Sequence, residues 1–210
     1  MVTHKVFYKE NLLSKTDFDN LVLHKETIIN QGKGCTTIHE DGSVTIDTSL
    51  TTGDSNNREP KWYEYSVSKE AIFNYTYNID MFLPYLGEPF INALYAKYQM
   101  LVENGVNNPK PYMARAYRNN QTTEWHMHTK PDHVKHSKFW VTIYYLHPNW
   151  DIQYDGAIEI GMLPTEPVGK FNCLSNSMVA HNGYYGHGVN NLKFGYEGDR
   201  DILIAHWISE

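Results

Sequence analysis

The second half of the chain constrains the fold most, because from about residue 111 it breaks into short segments with β-strand character. These segments are rich in aromatic and β-branched residues, and proline, glycine, asparagine and aspartate separate them. Several short strands that follow leading helices are typical of a β-sandwich or jelly roll backed by helices. The predicted strand segments are residues 111–120, 138–147, 156–163, 169–176 and 200–208.

Two segments of the first half have the pattern of amphipathic helices. Residues 13–31 begin with Ser14 and Thr16, either of which can cap the first turn, and their apolar residues follow helical spacing. Residues 88–105 place Pro89 in the first turn, carry one apolar stripe and end at a glycine. Both segments are therefore predicted to be helices.

The intervening stretch, residues 32–60, is rich in glycine, threonine, serine and aspartate. It is predicted to form a hairpin around residues 40–43, followed by a long polar loop. The chain as a whole is predicted to be one domain over residues 1–210. That domain has a helical and loop portion over residues 1–110 and a jelly-roll core over residues 111–210.

Composition narrows the classes of function. The formal net charge of -6 argues against a protein whose binding is dominated by nucleic-acid phosphates. The N-terminus lacks the apolar core of a signal peptide, and no stretch approaches membrane-spanning length. Cys35 and Cys173 lie far apart in the sequence, which favours free thiols in a reducing compartment. We therefore expect a cytoplasmic protein and no membrane partner, while the oligomeric state stays open.

Residues 124–136 hold four of the 11 histidines of the chain. If His126 and His128 lie on an extended strand, their side chains point to the same face and can bind one ion. Such a site needs a third ligand from elsewhere, and His181 and His187 are the candidates. The pair alone does not decide the matter, since two solvated histidines on a surface strand have the same spacing.

Four segments, in their order along the chain, resemble parts of Fe(II)/2-oxoglutarate-dependent dioxygenases. The resemblance is to the prolyl-4-hydroxylase-like branch and to related phage-encoded oxygenases, and it covers residues 112–132, 139–161, 170–183 and 199–208. It implies a double-stranded β-helix of the cupin type and an oxidoreductase that uses Fe(II) with 2-oxoglutarate as cosubstrate. It also implies a hydroxylase that releases succinate and CO2, located in the host cytoplasm if the chain is viral.

The resemblance also nominates site residues. In these enzymes a His-x-Asp/Glu pair and a distal histidine hold iron, and a basic residue on the last strand binds the distal carboxylate of 2-oxoglutarate. The matching segments nominate His181 as the distal histidine and Arg200 as the basic residue. Tyr117 matches a position that often contacts 2-oxoglutarate. Tyr144 shares a strand face with Thr142 and is a further candidate for the cosubstrate, with core packing an equal alternative.

The chain departs from the family pattern because no carboxylate follows the first histidine at the expected spacing. His128 stands there if His126 is first, and Lys130, which has no acceptor, stands there if His128 is first. Asp132 could substitute through a loop adjustment. Three assignments compete: histidines 126, 128 and 181, which we favour; His128 with Asp132 and His181; or two histidines without a carboxylate, as in the halogenating branch of the family.

Two questions stay open at this level. His187 is the alternative distal ligand, although residues 182–198 are expected to bulge out as a loop. A zinc-containing or non-catalytic jelly-roll binding module is the alternative function, because zinc also accepts three histidines. A cupin-like metalloenzyme that uses oxygen without an oxo-acid is a third possibility. The prime substrate could be a small molecule, a protein or a nucleoside.

Overall fold

The structure is a computed structural model that describes residues 5–31, 35–38, 44–47, 65–67, 88–118, 123–128, 130, 132–189 and 200–210. The predicted loop over the remainder of residues 32–60 lies outside these ranges, but the strands on either side of the predicted hairpin turn pair antiparallel. Neither α-helix within the described ranges is long and apolar enough to cross a membrane.

Both predicted helices are present. Helix α1 spans Lys15–Gln31, and the Ser14 hydroxyl caps it by accepting a hydrogen bond from the Asp17 amide at 3.2 Å. Helix α2 spans Glu88–Glu103, and Gly105 ends it with a positive φ of 79° that favours glycine. The sequence therefore located both helices, with α2 ending two residues before the predicted stop.

The described strands form two sheets. The larger, eight-stranded sheet has the order β1-β10-β7-β12-β5-β4-β2-β3, and the smaller, four-stranded sheet has the order β6-β11-β8-β9. All described pairs are antiparallel except β2 with β4. The strands are β1 (Val6–Lys9), β2 (Cys35–Ile38), β3 (Val44–Asp47), β4 (Tyr65–Val67), β5 (Lys110–Arg118), β6 (Thr123–His126), β7 (Phe139–Tyr145), β8 (Ile158–Leu163), β9 (Glu166–Phe171), β10 (Met178–Asn182), β11 (Gly186–Val189) and β12 (Asp201–Ile208).

The buried side chains form two layers. One layer packs the helices against the outer face of the larger sheet and includes Leu21, Phe90 and Leu203. The other lies between the sheets and includes Ile160 from β8 and Ile204 from β12. Two facing sheets with helices on one outer side make a jelly roll, so the predicted fold class is confirmed.

Strand β11 corrects the expectation that residues 182–198 bulge out as a loop. Residues 186–189 instead form a central strand of the smaller sheet, between β6 and β8. Glycines weaken the strand signal of this segment in the sequence. Gly186 is needed because a Cβ there would lie 2.7 Å from both the His126 carbonyl oxygen and Trp125 Nε1.

A buried ion pair attaches helix α1 to the start of β12. Lys25 Nζ donates to Asp201 Oδ2, and the two side chains are 7% and 0% exposed. Asp201 directly follows Arg200, and its carbonyl oxygen accepts a hydrogen bond from the Leu146 amide at 2.8 Å. The helix layer therefore contacts the larger sheet through charge as well as through apolar packing.

Candidate metal centre

Two neighbouring strands of the smaller sheet bring three histidines together. His126 ends β6, His128 follows it, and His187 lies on β11, directly opposite His126 in the antiparallel register. Opposed residues of an antiparallel pair point to the same face, so the imidazoles converge. The ring centroid of His187 lies 4.5 Å from that of His126 and 4.9 Å from that of His128.

One ligating nitrogen from each of His126, His128 and His187 lies within 4.8 Å of the other two. Among the described residues no carboxylate belongs to this group, which we call the histidine triad. His187 is buried, whereas His126 and His128 are only half-buried. The triad therefore offers three imidazoles to one cation, with its more accessible side at the end of β6.

The geometry brings together a different distal histidine from the one we favoured. His181 lies on β10 in the larger sheet and is not a member of the triad, whereas His187, the alternative, lies on β11 beside β6. Imidazoles from adjacent strands of one sheet can share an ion, while His181 sits behind His187 with its Nε2 3.0 Å from His187 Nδ1. Asp132 is exposed in a turn and is also outside the triad.

The buried histidines are suited to metal binding because they are neutral. Burial lowers the pKa of His181 to about 4 and holds the pKa of His187 well below its ordinary value, with the neighbouring histidines lowering the latter further. At His126, Nδ1 lies 2.9 Å from the Glu124 carbonyl oxygen. A carbonyl only accepts, so Nδ1 is the donor, and in the neutral form of the ring Nε2 keeps the lone pair that a cation needs.

Of the two alternatives for Tyr144, cosubstrate contact and core packing, the structure shows core packing. Its side chain packs in the helix layer, where its hydroxyl donates to Asn176 Oδ1 at 2.7 Å. Thr142 shares this outer face, and its hydroxyl accepts a hydrogen bond from Trp207 Nε1 at 2.8 Å. Tyr145, the next residue, belongs instead to the layer between the sheets. The continuous apolar sequence of β7 hides which residues face the interior, so the alternation could not be assigned from it.

Arg200 directly precedes β12 and is 0% exposed. Its Nη1 donates to the Gly156 carbonyl oxygen at 3.1 Å, in the segment that leads into β8. The guanidinium therefore bridges from the larger sheet to the smaller one. The nomination of Arg200 as the residue that binds the distal carboxylate of 2-oxoglutarate stays a prediction. Tyr117 lies opposite Ile202 in the register of β5 and β12, but its side chain is outside the described part of the structure.

His206 is a neighbour of the triad, and from the sequence it is as likely to be a core histidine as a site residue. It is 5% exposed, and its ring centroid lies 4.5 Å from that of His128. Alternation along β12 places residues 202, 204 and 206 on one face, and Ile202 and Ile204 belong to the layer between the sheets. Counting in twos from Arg200 would have indicated that His206 faces the same interior.

His147 is a buried histidine close to Arg200, and we expect it to make stability depend on pH. It is 1% exposed, and its Nε2 lies 2.6 Å from the Cys173 carbonyl oxygen. Burial lowers its pKa from 6.5 to about 4, the Cys173 carbonyl and Asp201 oppose that shift, and Arg200 and Lys25 add to it. At a pH between these two pKa values, His147 is protonated in the unfolded chain and neutral in the folded protein. The free energy of unfolding therefore falls as the pH falls.

At about pH 5 this group alone should remove about 2 kcal/mol of stability relative to neutral pH. Urea unfolding of the metal-free protein near neutral pH and at about pH 5 measures the difference. His147→Gln keeps an amide donor for the Cys173 carbonyl but cannot titrate, so this variant should lose correspondingly less on acidification. Equal losses in the two proteins would contradict the assignment.

The fold and the triad together define a class: jelly-roll proteins with a cluster of imidazoles between the sheets. No protein-family model matches the sequence, and no curated protein matches it. Solved structures do match the fold, and they include an oxidoreductase of the 2OG-Fe(II) oxygenase family from Burkholderia pseudomallei.

Three of these structures illustrate the likeness. A prolyl-4-hydroxylase from Pseudomonas putida is 12% identical, with 99% of this chain and 94% of that one covered and a TM-score of 0.54. AviO1 from Streptomyces viridochromogenes Tue57 is 11% identical, with coverage of 99% and 91% and a TM-score of 0.60. HygX from Streptomyces hygroscopicus, solved with nickel and 2-oxoglutarate bound, is 11% identical, with coverage of 99% and 84% and a TM-score of 0.57. At these identities the likeness establishes the fold.

Proposed function

We propose that this protein is an Fe(II)- and 2-oxoglutarate-dependent oxygenase, a hydroxylase that converts 2-oxoglutarate to succinate and CO2 while it oxidises a prime substrate. The observation that carries the proposal is the convergence of His126, His128 and His187 within 4.8 Å between the sheets of a jelly roll. Arg200, whose guanidinium group is fully buried, supports it.

The residues present fit a ferrous ion. Imidazole is a good ligand for Fe(II), and three protein ligands leave three coordination positions for the cosubstrate and dioxygen. Bound iron and 2-oxoglutarate would supply the oxidising chemistry, since dioxygen gives one oxygen atom to succinate and one to the substrate. His187 provides the buried ligand, while the half-buried His126 and His128 lie on the side from which a substrate can approach.

The other residues of the interior bind and orient the cosubstrate and exclude water. Ile158 and Ile160 of β8 are 1% and 0% exposed, and with Ile143 and Ile204 they surround the space between the sheets with apolar groups. In such surroundings a carboxylate needs a permanent cation, and the planar fork of an arginine can pair with both of its oxygens. We assign the distal carboxylate of 2-oxoglutarate to Arg200.

Substitution of Arg200 tests this assignment. Arg200→Gln should weaken metal-dependent binding of 2-oxoglutarate by about 30-fold or more, since the loss of one partner from a buried charge pair costs upwards of about 2 kcal/mol. Arg200→Lys keeps the charge but not the fork, so its loss should be smaller. Anaerobic calorimetry with the Fe(II)-loaded protein measures both affinities.

The control for these variants is the affinity for the metal itself, which should stay at the wild-type value because Arg200 is not a member of the triad. If Arg200→Gln bound 2-oxoglutarate as tightly as the wild type, the assignment of the carboxylate to Arg200 would be wrong.

The overall function is tested by turnover. The protein is loaded with Fe(II) without oxygen, supplied with 2-oxoglutarate and then exposed to oxygen, with and without mixtures of candidate substrates. Succinate should form in a metal-dependent manner and faster when a prime substrate is present. A metal-loaded protein that binds no 2-oxoglutarate would exclude the proposed function.

One observation favours a second candidate, a zinc-containing binding module. Within the described part of the chain the triad has no carboxylate, and three imidazoles with an open position also suit Zn²⁺. Such a protein would bind zinc, but its affinity for 2-oxoglutarate would not depend on the metal. The calorimetric experiment therefore separates the two candidates.

A further inference from the structure

His181 has a place in the structure that the proposed oxygenase function does not yet use. It is 0% exposed, lies on β10 between Val6 of β1 and Val141 of β7 in the register, and points its Nε2 at His187 Nδ1, 3.0 Å away. Its own Nδ1 lies 3.0 Å from the carbonyl oxygen of Asn182. A buried imidazole therefore joins a backbone carbonyl to a member of the triad.

The chemistry of these groups fixes the direction of both hydrogen bonds. The Asn182 carbonyl can only accept, so His181 Nδ1 must carry a proton. Complete burial favours the neutral ring, which has one proton, and His181 Nε2 is therefore an acceptor. His187 Nδ1 must then be the donor, and His187 Nε2 is left with its lone pair. That nitrogen lies 3.4 Å from His128 Nε2, on the side where a shared cation would sit.

We propose that His181 is a positioning residue, which selects the tautomer of His187 and holds its ring for metal binding. The inference rests on the proposed metal site. Without an acceptor at this point, His187 could place its proton on Nε2 and direct an N–H group at the cation. Ligating histidines generally need such a partner, and loss of the partner lowers metal affinity.

The local fold makes this acceptor rigid. His181 and His187 lie at the two ends of the connection between β10 and β11, which passes from the larger sheet to the smaller one. The Asn182 carbonyl also accepts a hydrogen bond from the Tyr185 amide at 3.1 Å, and the Gly183 amide donates to the Phe139 carbonyl at 2.7 Å. The turn that positions His181 is therefore held by its own backbone hydrogen bonds.

The test uses the full chain and Co(II) alone as the probe, with affinity measured by competition with a chelator and geometry by the visible spectrum. His181→Leu removes the acceptor at similar volume, and it should weaken Co(II) binding about 10- to 100-fold and alter the spectrum. His181→Gln restores an acceptor close to the position of Nε2, so most of the affinity and the wild-type spectrum should return. His187→Ala marks the effect of losing a ligand.

Three outcomes would overturn the proposal. Wild-type affinity and spectrum in His181→Leu would reduce His181 to a packing residue. A loss in His181→Gln as large as that in His187→Ala would make His181 a ligand. A wild-type protein without affinity for Co(II) would remove the metal site and the inference with it. By contrast, a protein that binds Co(II) but no 2-oxoglutarate would contradict only the proposed function.

A second measurement avoids any effect of substitution on folding. Imidazole nitrogen chemical shifts of the metal-free wild-type protein report which nitrogen of each histidine carries the proton. We expect the proton on Nδ1 in both His181 and His187. A proton on Nε2 of His187 would overturn the proposal.

Discussion

His128→Leu is expected to weaken the binding of a divalent cation by more than about a hundredfold, since loss of a ligand should exceed the effect of losing an outer hydrogen-bond partner. His128 belongs to the triad, and its Nε2 lies 3.4 Å from His187 Nε2. His128→Asp should retain binding because it supplies a carboxylate two residues after His126. Co(II) titration of the three proteins measures the difference.

The control for this experiment is His133→Leu, which removes an exposed histidine from the following turn. It should bind Co(II) as the wild type does. Wild-type affinity in His128→Leu would exclude His128 as a ligand. That result would also exclude the ligand set of His128 with Asp132, whatever the effect of Asp132→Asn, because a dispensable His128 cannot belong to it.

A three-histidine ligand set also has an electrostatic consequence. Three neutral imidazoles leave both charges of a divalent cation uncompensated, whereas an aspartate in place of His128 would neutralise one of them. The wild-type site is therefore better suited to attract the dianion 2-oxoglutarate than the His128→Asp site. Among the described residues the triad includes no carboxylate, and this raises the positive charge that the proposed cosubstrate would meet.

The parts of the fold that depend on local pattern could be predicted from the sequence. The capping group at Ser14 and the glycine at position 105 locate the ends of α1 and α2, and short runs rich in β-branched residues locate β8 and β12. The paired histidines 126 and 128 also follow from local spacing. In each case the signal and its cause lie within a few residues of one another.

The distal histidine could not be chosen in this way, because the choice depends on which strands are neighbours. His181 and His187 are six residues apart and both are buried, yet only His187 lies on the strand that pairs with β6. The glycines that let β11 approach Trp125 are also the residues that make this segment look like a loop. A close contact between strands distant in sequence leaves no periodic pattern that would reveal it.

For a related reason the sequence left cosubstrate binding and core packing as equal alternatives for Tyr144. Every residue of β7 is buried, since helices cover one face and the smaller sheet covers the other. The sequence of a strand that is apolar on both faces does not show which of its residues point to which side of the sheet. Strand β12 has the same difficulty, but Arg200, directly before it, and His206 are six positions apart, and this even spacing places both on one face.

Lys25→Met is expected to destabilise the protein by about 3–5 kcal/mol, because it removes the ammonium group that pairs with the buried carboxylate of Asp201. The exposed pair of Lys15 and Asp19 on the same helix provides a matched control, with side chains 87% and 54% exposed. Lys15→Met should cost no more than about 0.5 kcal/mol. Urea unfolding measures both.

The double variant Lys25→Met/Asp201→Leu shows which part of the loss comes from the unpaired charge. Replacement of a whole buried ion pair by apolar groups is often close to neutral, so the double variant should recover most of the stability that Lys25→Met loses. If both variants were equally unstable, the loss would come from packing. If Lys25→Met cost as little as Lys15→Met, Asp201 would not depend on Lys25.

Because Asp201 directly follows Arg200, a variant that loosens this pair should also weaken 2-oxoglutarate binding, whereas Lys15→Met should leave that affinity unchanged.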